Sequence, residues 1–139
     1  FSVIVTNKVD ISPEQMAAFF DAPEDGPFIM VNLLKFKDKA EYADGSDANL
    51  SGREAYMRYG VAVQKCITDV GARSVSSARV TGLMMGEVED LWDIVALVEY
   101  PSLAAMEKMV TSPEYQEISV HRKAGLAGQL NIKAKSTGG

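Results

Sequence analysis

The chain has 139 residues, 47% of them hydrophobic and 24% charged, which is the make-up of one ordinary globular domain with its own core. A formal charge of −5 argues against nucleic acid and membrane lipid as partners, because both select basic surfaces. No apolar run approaches the roughly 20 residues that span a bilayer, and a single Cys66 can form neither an internal disulfide nor a cysteine-built metal site, so a cytoplasmic protein is expected.

The opening F-S-V-I-V-T-N-K lacks the basic leader and cleavage site of a secretion signal, and its start on Phe1 rather than Met suggests that residues once preceded it. Ser12-Pro13-Glu14-Gln15 predicts a helix, with Ser12 as N-cap, Pro13 in the first turn and Gln15 able to close a capping box. Met16, Phe19 and Phe20 form its apolar stripe. Asp25-Gly26-Pro27 ends this leader, and Phe28 to Phe36 reads as an apolar strand interrupted by Asn32. Lys37 to Leu50 is a long polar loop, a length usually associated with function or mobility.

Ser51-Gly52-Arg53-Glu54 opens the next helix with a second capping box, and Tyr56, Tyr59, Val63, Ile67 and Val70 recur on one face until Gly71. Ser74 to Met85 reads as a strand, followed by an acidic turn holding Glu87, Glu89 and Asp90. Trp92 to Tyr100 returns as another strand. Pro101-Ser102 breaks it, Leu103, Met106 and Val110 mark a short helix, and Ser112-Pro113-Glu114 starts another that carries Tyr115 and Ile118 inward as far as Gly125. A last strand runs from about Gln129 to Ala134. Three parts result: an N-terminal extension with a short helix (1–27), a folded domain (28–134) and a flexible tail (135–139).

From Phe28 onward the order is strand, helix, strand, strand, helix, strand, the ferredoxin-like split βαβ pattern of an α+β fold with an antiparallel sheet. Helices in that pattern cover one face only. Yet Ile94, Val95, Ala96, Leu97 and Val98 are apolar on both alternating faces, so both faces need cover. A second copy of the chain, packed sheet to sheet around a two-fold axis, supplies it.

M-V-N-L-L-K-F-K (Met30 to Lys37), G-R-E-A-Y-M-R-Y (Gly52 to Tyr59), W-D-I-V-A-L-V-E-Y-P-S (Trp92 to Ser102) and S-P-E-Y-Q (Ser112 to Gln116), with His121-Arg122, together resemble the uncharacterised domain-of-unknown-function family thirteen-thirty, over about Phe28 to Ala134. The resemblance implies the dimeric α+β barrel superfamily and a homodimer. That superfamily holds monooxygenases, haem-degrading enzymes, cyclases, isomerases and regulatory modules, so the fold does not choose a reaction. Residues 1–27 extend beyond the shorter members.

His121, the sole histidine, is the candidate general base. Asn32, Tyr56, Tyr59 and Trp92 are candidates to line a ligand cavity, Asp93 opens a buried strand, and Arg122 would bind an anion or pair with a turn carboxylate. Each has a plainer role in packing, capping or surface pairing. No second histidine exists to complete a metal triad, one histidine is slender support for haem, and phosphate-loop, nucleophile-elbow and paired-cysteine motifs are absent, so neither cofactor nor metal is expected. The expectation is a homodimer whose half-enclosed cavity binds a small, largely apolar organic molecule. Cofactor-independent isomerisation, cyclisation or lactone opening is the chemistry that would suit it. A noncatalytic interaction module is the alternative, and a cofactor-independent monooxygenase the third.

Overall fold

Serine begins every helix of the computed structural model, which describes residues 4–138; Phe1 to Val3 of the leader and Gly139 of the tail lie outside the described residues. The helices are α1 (Pro13–Phe20), α2 (Gly52–Asp69), α3 (Leu103–Val110) and α4 (Pro113–Gly125). The side chains of Ser12, Ser51, Ser102 and Ser112 each accept a backbone N–H from three residues on, at 3.0–3.2 Å, satisfying donors that a helix start leaves free. The reciprocal half of the capping box forms at α2, where Glu54 accepts the Ser51 N–H at 2.9 Å. At α1 the Ser12 half alone is made. None of these helices is long and apolar enough to cross a membrane.

Four strands, β1 (Phe28–Phe36), β2 (Arg73–Arg79), β3 (Ile94–Tyr100) and β4 (Leu126–Ala134), form one sheet in the order β2-β3-β1-β4 with every neighbouring pair antiparallel. This is the ferredoxin-like α+β architecture with an added N-terminal helix. β2 stops at Arg79, six residues before the expected Met85. Its ladder ends where β3 begins: Arg79 faces Ile94, Val80 donates to the Asp93 carbonyl at 2.9 Å, and Gly86 then takes a φ of +94° that no strand accommodates. Asp93 in turn donates its N–H to the Leu34 carbonyl, so Trp92 and Asp93 precede β3. β4 starts three residues earlier than expected, directly after α4, because Leu126 already pairs with Phe36.

Strand register separates the two faces. Toward the helices point Phe28, Met30, Asn32 and Leu34 of β1, with Tyr100, Val98, Ala96 and Ile94 opposite them. Phe28 stacks on Tyr100 at 5.5 Å, and Val63, Ile67, Leu103 and Met109 close the core over them. The other face carries Val31 and Leu33 between Leu97 and Val95 on one side and Ile132 and Leu130 on the other. None of these six is fully buried, and Ile132 is 48% exposed. The doubly apolar character of β3 is thus real, with one face turned to the helices, where Tyr100 is buried and Ile94, Ala96 and Val98 are half-buried, and one open.

α2 and α4 cross at two glycines. A Cβ on Gly125 would collide with the Gly52 carbonyl oxygen and sit 2.8 Å from the Tyr56 nitrogen, while one on Gly52 would meet the Gly125 oxygen at 2.7 Å. The leader is tied down at several points between Asn7 and Asp25. Lys8 bridges to Gln129, Asn7 lies against Gly128, Asp25 pairs with Lys133 at 3.0 Å, and the Glu24 carboxylate accepts the Leu103 and Ala104 N–H groups at the start of α3. Those bonds hold the Glu24 carboxyl below its usual range.

Candidate functional site

The helix-side face of the sheet turns polar where β1 meets β4. Asn32 stands opposite Asn131, and Leu34 opposite Gln129. The Asn32 amide nitrogen donates to the Ala96 carbonyl at 3.1 Å, which leaves its oxygen to accept from the Gln129 nitrogen, also at 3.1 Å. Gln129 donates to the Asn131 oxygen as well, and its own oxygen accepts from Arg122 Nη2 at 2.6 Å. Every amide orientation in this chain is fixed by the group before it, beginning from a backbone carbonyl that can only accept. Gln129 is 8% exposed, and no buried side-chain polar atom among the described residues lacks a partner.

Above this floor lies a cleft of about 620 Å³. Phe19 and Phe20 of α1, Met106 and Met109 of α3, and Tyr100 wall its apolar part, and the leader from Thr6 to Ile11 runs along one side. Tyr59 and Tyr115 meet inside it, with Tyr59 donating to the Tyr115 oxygen at 3.2 Å. Burial pushes the Tyr59 phenol well above its usual range, with the neighbouring Tyr115 and Tyr56 adding to the effect. At neutral pH it is a protonated hydrogen-bonding group. An apolar wall facing fixed polar groups is a common construction of a small-molecule site.

Of the residues singled out from sequence, the fold brings Asn32, Tyr59 and Arg122 together in the cleft. Asn32 is half-buried rather than fully enclosed. Tyr56 packs behind Tyr59 and against Phe36, at 5.3 Å from each ring, and burial raises its phenol to about 12. Trp92 donates its indole N–H to the Asn7 side chain at 2.7 Å and so holds the leader. Asp93 accepts the Phe36 N–H at 2.8 Å and lies 3.7 Å from Lys35, beside a shallow hollow bordered by Lys37 and Arg53. His121 faces the loop between β1 and α2, its Nδ1 2.7 Å from the Tyr42 hydroxyl, which also accepts from Arg58. The turn carboxylate Asp90, one expected partner for Arg122, meets Lys35 instead. Among the described residues no group of three His, Cys, Asp or Glu side chains is placed to hold a metal.

Gln129, Asn131 and Tyr115 complete the site and were not anticipated as site residues. Their signals are present in the sequence. Gln129, Asn131 and Lys133 alternate with Leu130 and Ile132, so the polar set falls on the sheet face that helices cover, the reverse of normal patterning. On α4, Tyr115, Ser119 and Arg122 follow the i, i+4, i+7 stripe that faces the cleft, and His121 is off it.

A protein of unknown function from Rhodopseudomonas palustris has a similar structure, with a TM-score of 0.86 and 30% identity over 96% of this chain and 100% of that one. More distant are a dimeric ferredoxin-like protein of unknown function from Bacteroides fragilis (TM-score 0.53, 11% identity, 79% of this chain and 96% of that one) and a dabb family protein with a ferredoxin-like fold from Mesorhizobium loti (0.51, 14%, 82% and 100%). At such identities these two speak to the fold alone. No curated protein matches. The family described as "Domain of unknown function (DUF1330)" matches residues 46–133, which begins later than the Phe28 reached by the resemblance and leaves β1 outside the matched span. With α2, α3, α4, β2, β3 and all but the last residue of β4 inside that match, and the Rhodopseudomonas protein aligned along almost the whole length of both chains, this protein belongs to the DUF1330 family.

Proposed function

We propose that this protein is a homodimer in which each subunit binds a small, largely apolar organic molecule in the cleft between its sheet and its helices. The observation that carries the proposal is the ordered Asn32–Gln129–Arg122 network at the base of an apolar-walled cavity. Placing amides on the sheet face that should be core, and a guanidinium against them, costs stability relative to apolar side chains, and a bound polar group is what such an arrangement serves. The homodimer is supported by the apolar open face of the sheet and by the dimeric description of the ferredoxin-like proteins from Bacteroides fragilis and Thermobifida fusca. If the bound molecule is transformed, the groups at hand are the hydrogen-bonded Tyr59–Tyr115 pair and Arg122, which suit polarising a carbonyl. His121 is engaged with Tyr42 and is not part of this proposal.

Native mass spectrometry of the protein as purified tests both halves. A dimer carrying the extra mass of a small organic molecule on each subunit is the expected result. A bare dimer after exposure to a broad set of apolar metabolites removes the ligand half, and a monomer removes the dimer half.

A further inference from the structure

We infer that the molecule held in the cleft is an organic carboxylate, with its anionic end on Arg122 and its apolar body against the aromatic and methionine wall. Arg122 is half-buried and lines the cleft, yet no ion pair among the described residues includes it. Its one hydrogen bond goes to the neutral Gln129 amide, so of the five N–H donors of a guanidinium four have no side-chain or backbone acceptor among those residues. The C-terminal end of α4 offsets part of the charge but brings no acceptor to those donors.

The rest of the lining points the same way. Its charged side chains are Lys8, Arg122 and Lys123 against a single carboxylate, Asp10, and Asp10 is taken up by Lys123 at 3.4 Å. A chain of net charge −5 thus collects positive charge around this one cavity. Gln129, itself locked by Asn32 and Asn131, holds the guanidinium in place from one side. A planar fork of fixed donors in a partly desolvated site matches a carboxylate by two parallel bonds, and it discriminates against a neutral amide of the same shape. Phe19, Phe20, Met106 and Met109 give the rest of the ligand an apolar wall, so an anion with an apolar body is the class that fits.

Resting as it does on the cleft being a ligand site, the inference is tested with probes that separate the two. Naphthalene-2-carboxylate and octanoate supply a flat and a flexible body, and 2-naphthamide and octanamide are their uncharged counterparts. Binding is followed by calorimetry and by the methyl NMR signals of Met106 and Met109, which line the cleft. At least one acid is expected to bind about ten- to a hundred-fold tighter than its amide. That preference should fall to within about threefold in Arg122→Gln and stay intermediate in Arg122→Lys. Equal binding of acid and amide by the unaltered protein overturns the carboxylate and leaves the cleft standing. A preference for the acid that survives Arg122→Gln overturns the role of Arg122. No response of the two methionines to any of the four probes removes the ligand site and the inference with it.

Discussion

Val31 sits at the centre of the open sheet face, with Leu97 on one side and Ile132 on the other, and Val31→Lys is the most direct perturbation of the proposed dimer. In the isolated subunit this position faces solvent, so the helix-side core of Phe28, Met30 and Tyr100 is untouched. Its neighbours already cover part of Val31, and even the most open residue of the patch, Ile132, keeps only 48% of its surface exposed. At roughly 1.5–3 kcal/mol for burying a whole aliphatic side chain, the lost apolar cover is about 1 kcal/mol per subunit. The charge dominates. An ammonium enclosed between two apolar sheets without a partner costs several kcal/mol per ion, and a two-fold interface places two of them close together. A total of at least about 4 kcal/mol corresponds to roughly a thousand-fold weaker association. Val31→Ala, which loses only apolar area, should weaken the dimer about thirtyfold or less. Sedimentation velocity across a dilution series reads both, with far-ultraviolet circular dichroism to follow the fold. A Val31→Lys protein that sediments as the unaltered dimer would refute the sheet-to-sheet arrangement.

The glycine crossing makes a paired prediction: Gly125→Ala drives a Cβ into the Gly52 backbone and should cost about 2–4 kcal/mol, whereas Gly60→Ala, mid-helix in open space, should gain about 0.5–1 kcal/mol. Thermal unfolding of the two variants should move in opposite directions, and an unchanged midpoint for Gly125→Ala would contradict the close crossing. Burial raises the Tyr56 phenol from 10.0 to about 12, and moves those of Tyr59 and Tyr100 upward too. Between those pH values the unfolded chain releases phenolic protons that the folded one retains, so stability is full below pH 10 and falls as pH rises toward 12. The Tyr56 share is about 3 kcal/mol, and denaturant unfolding of Tyr56→Phe against the parent should show a shallower alkaline loss; identical slopes would refute it. At the leader, a Cβ on Gly128 would lie 2.7 Å from that of Asn7, so Gly128→Val should push the leader off β4 and break the Trp92–Asn7 bond. Trp92 is the only tryptophan, and its emission should shift to the red; an unshifted spectrum would show the leader still docked.

The fold was legible from sequence where local chemistry sets it. Ser-Pro-Glu at α1 and α4 and the Ser51–Glu54 box mark helix starts through hydrogen bonds made within four residues, and short, nearly continuous apolar runs mark β1 and β3. Strand ends were not legible, because partners decide them. Arg-Val-Thr-Gly-Leu-Met-Met after Ala78 has strand-forming residues, but β3 has no further residues to pair with them. Leu126 to Gly128 follow α4 without a turn residue, and only pairing to Phe36 and Lys35 makes them strand. The same division holds for the site. Asn32 stood out as a polar residue within an apolar run, whereas its partners Gln129 and Arg122 lie 97 and 90 positions away and meet it through register and helix phase. Trp92 and Asn7 are 85 positions apart, so nothing local could mark that pair.

The two faces of the sheet let the two halves of the proposed function fail separately. The cleft is lined by side chains of one subunit on the helix side, and the proposed dimer closes the opposite face. Between them stands the sheet itself, with Asn32 pointing one way and its chain neighbours Val31 and Leu33 the other. Breaking the dimer at Val31 therefore removes no group from the cleft. A Val31→Lys monomer that keeps its fold should bind naphthalene-2-carboxylate within about threefold of the parent, since that corresponds to less than 1 kcal/mol and no contact is lost. Gly128→Val should weaken binding, because Lys8 and Asp10 of the displaced leader belong to the lining, and as Gly128 shares the open face with Leu130 and Ile132 it should disturb the dimer as well. Calorimetry on both variants decides the matter. A monomer that has lost binding while retaining its circular dichroism would mean that the second subunit shapes the site, and the ligand would then have to be sought at the interface.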